Sequence, residues 1–180
     1  MTKRTRNLAM AAVTAAVLGM PGLSAAADAI PGQVSHVRSS NSELGALIEQ
    51  AGQRSATFRG LLDTINSSDS IVFVEAGDCG HGVRACFVSV AAAGAYRYMR
   101  VVVDTRKADW DLMGSIGHEL RHTLEVIGAP HVRDNASKHF FYEQIGTHGT
   151  ATARETQAAV DAGNTVRSEV RKFNRPSKSE

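Results

Sequence analysis

The alternation of apolar and polar positions predicts a helix, then three strands, then three more helices. Apolar residues recur at helical spacing between residues 42 and 65, with a break expected near Gly52, whereas residues 28–40 show no regular pattern. Three stretches rich in β-branched residues and bounded by turn residues are typical of strands: 71–75, 85–92 and 96–104. Because they follow one another closely, we expect these strands to form a small antiparallel meander.

The C-terminal half of the chain is predicted to be helical. Helical spacing returns in three segments: 109–127, 134–145 and 152–173. Asp109 can cap the first of them, and Gly128 and Pro130 end it. The order of elements predicts an α+β fold in a single domain over residues 28–180, of which 174–180 form a frayed tail. In this fold a three-stranded antiparallel sheet is joined to an N-terminal helix and to a helical C-terminal part.

The first 27 residues have the three parts of a secretory signal peptide. Basic residues at positions 3, 4 and 6 precede an uncharged apolar run from Leu8 to Met20, which Pro21 ends. Small residues follow, and they predict cleavage after Ala26 or Ala27. The apolar run has 13 residues, fewer than the roughly 20 that a membrane span needs. We therefore expect the signal to be removed, which leaves a periplasmic or secreted protein without a stable membrane anchor.

Charge gives no support for a nucleic-acid partner. The chain has 180 residues with 20 Lys and Arg against 18 Asp and Glu, and 43% of its residues are hydrophobic, as in a globular domain. Removing the signal peptide takes away three basic residues and leaves 17 basic against 18 acidic ones. A chain so close to neutrality lacks the basic excess with which proteins bind phosphate backbones.

The chain has two cysteines, Cys79 and Cys86, separated by six residues. In an exported protein such a pair predicts a disulfide, and Gly80 and Gly82 allow the short loop between them to turn. Closing a loop of this length should stabilise the fold by about 2–3 kcal/mol. The alternative interpretation makes both cysteines and His81 ligands of a metal ion.

His118, Glu119 and His122 form an HExxH motif on the predicted helix 109–127. Residues four apart lie on the same side of a helix, so the two imidazoles can bind one Zn²⁺ ion while Glu119 reaches a water beside it. At about 100° per residue, the apolar positions lie opposite the histidines; they are Leu112, Met113, Ile116, Leu120, Thr123, Leu124 and Ile127. One side of the helix therefore packs in the core while the other faces an opening. The alternative interpretation is a solvated helix surface with two surface histidines.

A catalytic zinc site usually has a third protein ligand, for which Glu155 is the best candidate. Glu125 and Gly128 stand where an HExxHxxGxxH site needs Gly and His, and Thr150 stands where a GTxxD site needs Asp. Glu155 lies early in a predicted helix, where it could instead complete a capping box with Thr152. The remaining candidates are Asp134, His131, His139, His148 and Glu143.

Residues 115–122 (SIGHELRH) and the later pair Glu155-Thr156 resemble motifs of small exported bacterial zincins. They are similar to the gluzincins, the thermolysin-like class of zinc peptidases whose third ligand is a glutamate. They are also similar to bacterial proteins that carry an IGHELxH helix and a later helix containing Glu-Thr. The chain departs from the gluzincin pattern at Ala159, where an aspartate is expected four residues after the ligand glutamate. This departure leaves the partners of the two histidines unidentified.

The resemblance implies the mechanism of a zinc peptidase. His118, His122 and Glu155 would hold the zinc ion, and Glu119 would take a proton from the activated water and pass it to the leaving amine. The strand before the motif, here within residues 96–104, would lie along a peptide or protein substrate. A further donor for the developing oxyanion would come from His148 or Tyr142.

Three other functions use similar residues. A non-catalytic, zinc-stabilised binding module of the periplasm would have a closed site with four ligands, which His148 could complete. A peptide deformylase needs an upstream Cys ligand, for which Cys86 is the only candidate, and the predicted disulfide disfavours it. A di-iron protein needs a second ExxH pair, which the sequence lacks. The sequence therefore predicts a zinc metallopeptidase, with the binding module as the alternative.

Overall fold

The computed structural model describes residues 35–80, 82–106, 110–146 and 155–174, which form four strands and five helices. The strands are β1 (Val37–Arg38), β2 (Ser70–Ala76), β3 (Ala85–Ala93) and β4 (Tyr96–Val103). The helices are α1 (Ser42–Arg54), α2 (Ala56–Asn66), α3 (Trp110–Ile127), α4 (Asn135–Ile145) and α5 (Gln157–Phe173). The predicted α+β class is confirmed, while the predicted signal peptide lies outside the described residues.

The strands form one mixed sheet in the order β1-β2-β4-β3, so the predicted three-stranded antiparallel meander is wrong. β2 pairs in parallel with β1 and with β4, whereas β3 pairs antiparallel with β4. The prediction failed because it assumed that β2 and β3, which are consecutive in the chain, are also neighbours in the sheet. β4 lies between β2 and β3 instead, and its last residues, 101–103, are all buried. β1 belongs to the segment 28–40 that was predicted to be irregular.

The helices cover one face of the sheet. The core residues on that face come mainly from β2 and β4: Val72, Val74, Met99, Val101 and Val103. Tyr96, Tyr98 and Arg100 alternate with them along β4 and are exposed on the opposite face. The two faces therefore differ sharply: the helices cover one face, and the other is exposed along much of β4.

Ser55 divides the predicted helix 42–65 into α1 and α2, three residues beyond the expected break at Gly52. Its backbone is extended, and its hydroxyl accepts a hydrogen bond from the N–H of Phe58 as the N-cap of α2. The carboxylate of Glu169, on α5, accepts hydrogen bonds from the Ser55 hydroxyl and from the N–H of Thr57. The start of α2 is therefore tied directly to α5.

Helices α3 and α5 pack closely because glycines line their contact. A Cβ atom added at Gly163 would lie 3.0 Å from the Cβ of His118. A Cβ atom added at Gly117 would lie 2.9 Å from Cγ2 of Val166, a fully buried and conformationally stiff side chain. This close approach brings the start of α5 beside the HExxH motif.

Replacing Gly117 by alanine is expected to destabilise the protein by about 1–2 kcal/mol. The added methyl group overlaps Val166, and this cost exceeds the gain of roughly 1 kcal/mol that alanine brings to a helix. Gly60→Ala in α2 is the matched control and should stabilise, because nothing lies within 4 Å of the added Cβ. Urea unfolding of both variants in the presence of a chelator measures the difference. Equal stabilisation by the two substitutions would contradict the tight contact of α3 with α5.

Arg97 of β4 holds the C-terminal end of α3. Its guanidinium donates hydrogen bonds to the carbonyls of Val126, Ile127 and Ala129, which lie where a helix end leaves carbonyl groups without partners. It also pairs with Asp69 at 2.7 Å, and only 2% of the residue is exposed. The helix that carries the HExxH motif is thus anchored to the sheet at its far end.

Cys79 and Cys86 form the predicted disulfide, with 5.9 Å between their Cα atoms. The bond closes the connection between β2 and β3 and excludes the alternative in which both sulfurs bind a metal; His81 lies outside the described residues. Disulfides are typical of oxidising compartments. Among the described residues, no helix combines the length and the apolarity that crossing a bilayer requires.

Candidate metal centre

Three side chains that the sequence suggests as metal ligands lie together: His118, His122 and Glu155, here called the metal triad. The Oε1 atom of Glu155 is 3.2 Å from Nε2 of His118 and 3.4 Å from Nε2 of His122. The three potential ligand atoms all lie within 4.8 Å of one another. The group can therefore hold a metal ion between two imidazoles one helical turn apart and a carboxylate from a distant part of the chain.

The donor atoms of the metal triad fit a zinc ion. Zinc binds imidazole nitrogen and carboxylate oxygen at about 2.0–2.2 Å and prefers four ligands in a tetrahedron. Two ligands at such distances are about 3.3 Å apart, close to both nitrogen–oxygen distances at Glu155. Magnesium and calcium prefer sets of oxygen ligands. Two nitrogens and one oxygen therefore favour zinc or a related transition metal.

Glu155 reaches the histidines because α5 begins later than predicted. The N-cap is Thr156, whose hydroxyl accepts a hydrogen bond from the N–H of Ala159, and the helix starts at Gln157. The carboxylate of Glu155 contacts the two imidazoles and the N–H of Thr156. It does not sit at the third position of a helix, as a capping box with Thr152 would require, and Thr152 itself lies outside the described residues. The carboxylate therefore bridges the start of α5 and the histidines of α3.

Glu119 lies beside the metal triad with its carboxylate almost entirely buried. Its Oε1 atom is 3.9 Å from Nε2 of His118, and the carboxylate accepts a hydrogen bond from the backbone N–H of Phe87 in β3. Burial raises the pKa of Glu119, and the nearby imidazoles oppose this only in part. The carboxyl group thus lies next to the candidate metal position in surroundings that favour the uptake of a proton.

Glu125 is a partner of the site that the sequence reasoning missed. One carboxylate oxygen lies 2.8 Å from Nδ1 of His122, and the other accepts a hydrogen bond of 2.6 Å from the Thr156 hydroxyl. The first contact orients the ring so that Nε2 faces Glu155. Glu125 is thus a partner of one of the two histidines, whose partners the sequence left unidentified. The spacing was a usable signal, because a glutamate three residues after a histidine lies on the same side of a helix.

Tyr142, one of the two predicted oxyanion donors, contacts His122 in the structure. Its hydroxyl donates a hydrogen bond of 2.8 Å to the backbone carbonyl of His122, and its ring packs edge-on against that imidazole, with 5.3 Å between ring centres. The single phenolic proton is therefore already engaged. His148, the other predicted donor, lies outside the described residues.

The other described candidate ligands are engaged elsewhere. Asp134 is the N-cap of α4, His131 packs against Phe141, and His139 pairs with Glu143 at 2.9 Å on an exposed part of α4. Within the part of the chain that the structure describes, the metal triad is the one group of three or more such side chains close enough to share an ion.

The metal triad opens into a cavity of about 820 Å³ between β3 and the helices α3, α4 and α5. Glu119 and His122 are buried in its wall, so the polar side of α3 is not the solvated surface of the alternative interpretation. Residues 85–87 of β3 form the facing wall. A cavity of this size holds a ligand as large as a short peptide.

Without a metal, His122 holds its proton more tightly than an ordinary histidine. Burial lowers its pKa, but hydrogen bonds to Glu125 and Glu155 and the charge of Glu119 outweigh this effect and raise the pKa to about 9. Burial alone would raise the pKa of Glu155, yet its contacts with His118 and His122 hold it well below its usual range. A metal ion must displace the proton of His122, because only the neutral imidazole binds metal.

Zinc affinity is therefore expected to rise about tenfold per pH unit between pH 6.5 and 9 and to level off above that range. The stability of the metal-free fold is expected to change with pH in the opposite direction. The raised pKa of His122 contributes fully to this stability below pH 6.5, and the contribution is lost as the pH rises through 9. Competition with a coloured chelator measures the slope. Glu125→Gln is the matched variant, because it weakens the hydrogen bond that raises the pKa of His122. In this variant, zinc affinity should depend less on pH above neutrality. Zinc affinity that does not change with pH would contradict this reasoning.

The centre is built from two parts of the chain. α3 supplies both imidazoles and Glu119, whereas the segment just before α5 supplies the carboxylate of Glu155, 33 residues after His122. Comparisons with protein-family models, with curated proteins and with solved structures find no match for this chain.

Proposed function

We propose that this protein is a zinc-dependent peptidase in which Glu119 is the general base. One observation carries the proposal: a buried carboxylate lies beside three converging metal ligands in the wall of a cavity. A structural zinc site needs no base beside its ligands. The predicted export signal and the disulfide support a place of action in the periplasm or outside the cell.

The metal triad would hold the ion through Nε2 of both histidines and through the carboxylate of Glu155. When bound, zinc lowers the pKa of water and polarises the carbonyl of a substrate. Glu125 fixes the ring of His122, and Tyr142 fixes the backbone of the same residue. These contacts arrange the ligand set in advance, which is what a metal site requires for tight and specific binding.

Glu119 is placed to accept a proton from the attacking water and to deliver it to the leaving amine. Its burial raises its affinity for that proton, and the N–H of Phe87 orients the carboxylate. A general base of this kind typically contributes a factor of about 10²–10⁴ to the rate.

A peptide substrate would lie along β3 and not along the strand that the resemblance suggests. β4, which covers most of the predicted segment 96–104, is flanked by β2 and β3 and has no open edge. β3 is an edge strand, and its residues Ala85, Cys86 and Phe87 line the cavity. The backbone of an edge strand can pair with an extended peptide, which gives affinity that depends little on sequence.

Zinc content and hydrolysis of a broad peptide library, measured on the same purified mature protein, test this proposal. The expected result is one zinc ion per chain and cleavage that the Glu119→Gln variant loses. One zinc ion without cleavage of any peptide would support the alternative, a zinc-stabilised binding module. Absence of zinc would overturn both functions.

A further inference from the structure

Thr156 connects the two parts of the chain that form the metal centre. It is the N-cap of α5, directly after the third ligand Glu155, and only 7% of the residue is exposed. Its hydroxyl donates a hydrogen bond of 2.6 Å to the carboxylate of Glu125 on α3. The other oxygen of Glu125 lies 2.8 Å from Nδ1 of His122. One buried hydroxyl therefore joins the start of α5 to the helix that carries both imidazole ligands.

The hydroxyl of Thr156 makes two contacts that do not compete. A hydroxyl has one proton to donate, and its oxygen can accept at the same time. The oxygen accepts the N–H of Ala159 at 3.2 Å, which is the N-cap bond of α5. The proton goes to Glu125, and this contact adds nothing to the capping of the helix. The bond to Glu125 is therefore the part of this residue that helix formation does not explain.

The contacts around Thr156 close a ring of hydrogen bonds. From Nδ1 of His122 the ring passes through the carboxylate of Glu125 to the hydroxyl of Thr156. The N–H of Thr156 then donates a hydrogen bond of 3.0 Å to Oε1 of Glu155. The same oxygen lies 3.4 Å from Nε2 of His122, where the ring ends. Each member of the ring is thus held from two sides, as in other buried networks that make a structure rigid.

One side of the ring consists of a contact that a metal ion would replace. Glu155 contacts the imidazole of His122 directly, and an ion held by the metal triad would bind the same oxygen and nitrogen. The bond between Glu125 and Thr156 involves no ligand atom, so it can remain when an ion enters. It therefore holds the start of α5 against α3 with or without metal, which is what a ligand set arranged in advance requires.

We propose that Thr156 is a positioning residue of the metal centre, whose bond to Glu125 keeps the carboxylate of Glu155 within reach of both imidazoles. The inference rests on the metal centre of the proposed function but not on its peptidase activity. The tight packing of α5 on α3 lies at Gly163, about two turns further along, so it holds the body of the helix and not its first residue. Without the bond to Glu125, the third ligand can shift relative to α3, and zinc affinity falls although every ligand is still present.

The zinc affinity of Thr156→Val tests the inference. Valine has nearly the shape of threonine and suits the extended backbone at this position, so the variant should fold while it lacks the hydroxyl. Its zinc affinity is expected to be about tenfold below that of the wild type, the smaller of the effects that follow the loss of a residue that only positions a ligand. Thr156→Ser keeps the hydroxyl and should bind zinc within about threefold of the wild type. Competition with a chelator at a fixed pH measures all three affinities.

Thr165→Val is the matched control on the same helix. The hydroxyl of Thr165 is exposed and donates a hydrogen bond of 2.8 Å to the carbonyl of Asp161 within α5, so its loss should leave zinc affinity unchanged. Wild-type affinity in Thr156→Val, or an affinity in Thr156→Ser as low as in the valine variant, overturns the inference.

A variant of Glu125 separates positioning from the capping of α5. In Glu125→Ala the partner of the hydroxyl is already missing, so adding Thr156→Val should lower zinc affinity by less than about threefold more. A hydroxyl that acted only as a helix cap would give the same loss with and without Glu125. Equal losses in the two backgrounds therefore overturn the inference as well.

Peptide hydrolysis by the wild-type protein separates this inference from the proposed function. Zinc affinity that depends on Thr156, without cleavage of any peptide, keeps the positioning role and overturns the peptidase. Cleavage by the wild type, together with full zinc affinity in Thr156→Val, keeps the peptidase and overturns the positioning role. A wild-type protein that binds no zinc overturns both.

Discussion

Replacing Glu119 by glutamine is expected to lower kcat by about three orders of magnitude while zinc stays bound. The amide has nearly the shape of the carboxylate, and its oxygen can still accept the hydrogen bond from Phe87. It cannot take a proton from the attacking water. The metal triad is untouched by the substitution, so the zinc content should equal that of the wild type. Steady-state hydrolysis and metal analysis of the same preparation measure the two quantities.

Glu75→Gln is the control for this substitution. Glu75 pairs with Arg100 on the opposite face of the sheet, and its loss should leave kcat unchanged. A Glu119→Gln variant that kept more than about a tenth of wild-type kcat would rule out Glu119 as the base.

The second large effect is expected on metal binding. Glu155→Ala should weaken zinc affinity by more than about 100-fold, because even the loss of a residue that only positions a ligand costs about 10- to 100-fold. The two imidazoles of α3 would remain, but they would lack the carboxylate that lies within 3.4 Å of both. Competition with a chelator at a fixed pH measures the affinity.

Glu143→Ala is the matched control for Glu155, since both carboxylates line the cavity. Glu143 pairs with His139 on α4 and lies outside the metal triad, so its loss should leave zinc affinity unchanged. Wild-type affinity in Glu155→Ala, together with a loss in Glu143→Ala, would move the third ligand to α4.

The helices could be predicted from local patterns because nearby residues determine where each helix begins and ends. α3 and α4 end at the predicted residues 127 and 145 and begin one residue inside the predicted limits. Asp134 caps α4 as an aspartate before a helix is expected to do. The start of α5 was placed five residues early, because Thr152 and Thr156 have the same capping chemistry and the sequence alone does not choose between them.

The sheet could not be predicted in this way, because strand order depends on contacts between distant residues. The limits of β2, β3 and β4 agree with the predicted strands to within one residue. The hairpin of β3 and β4 does not itself reveal which of its strands faces β2. The apolar run 101–103 was the one local sign that β4 lies in the centre. β1 has only two residues and is too short to show a period.

The same difference between local and distant contacts decided which residues of the candidate site could be predicted. His118, Glu119 and His122 share one helix, so their spacing alone brings them together. Glu155 was one of several candidates in the sequence, and only the packing of α5 on α3 brings its carboxylate to the histidines. Glu125 was missed because the gluzincin pattern directs attention to a position after the third ligand.

The hydrogen bonds from Arg97 to the end of α3 affect how the candidate metal centre responds to heat. Helices unwind first from their termini, and His122 is only five residues, about one and a half turns, from the last residue of α3. Because a buried guanidinium binds the final carbonyls, amide protons of that last turn should exchange with solvent only when the sheet itself opens. Local unwinding of the helix end therefore does not reach the imidazoles, and we expect the site to be lost on heating only when the whole domain unfolds.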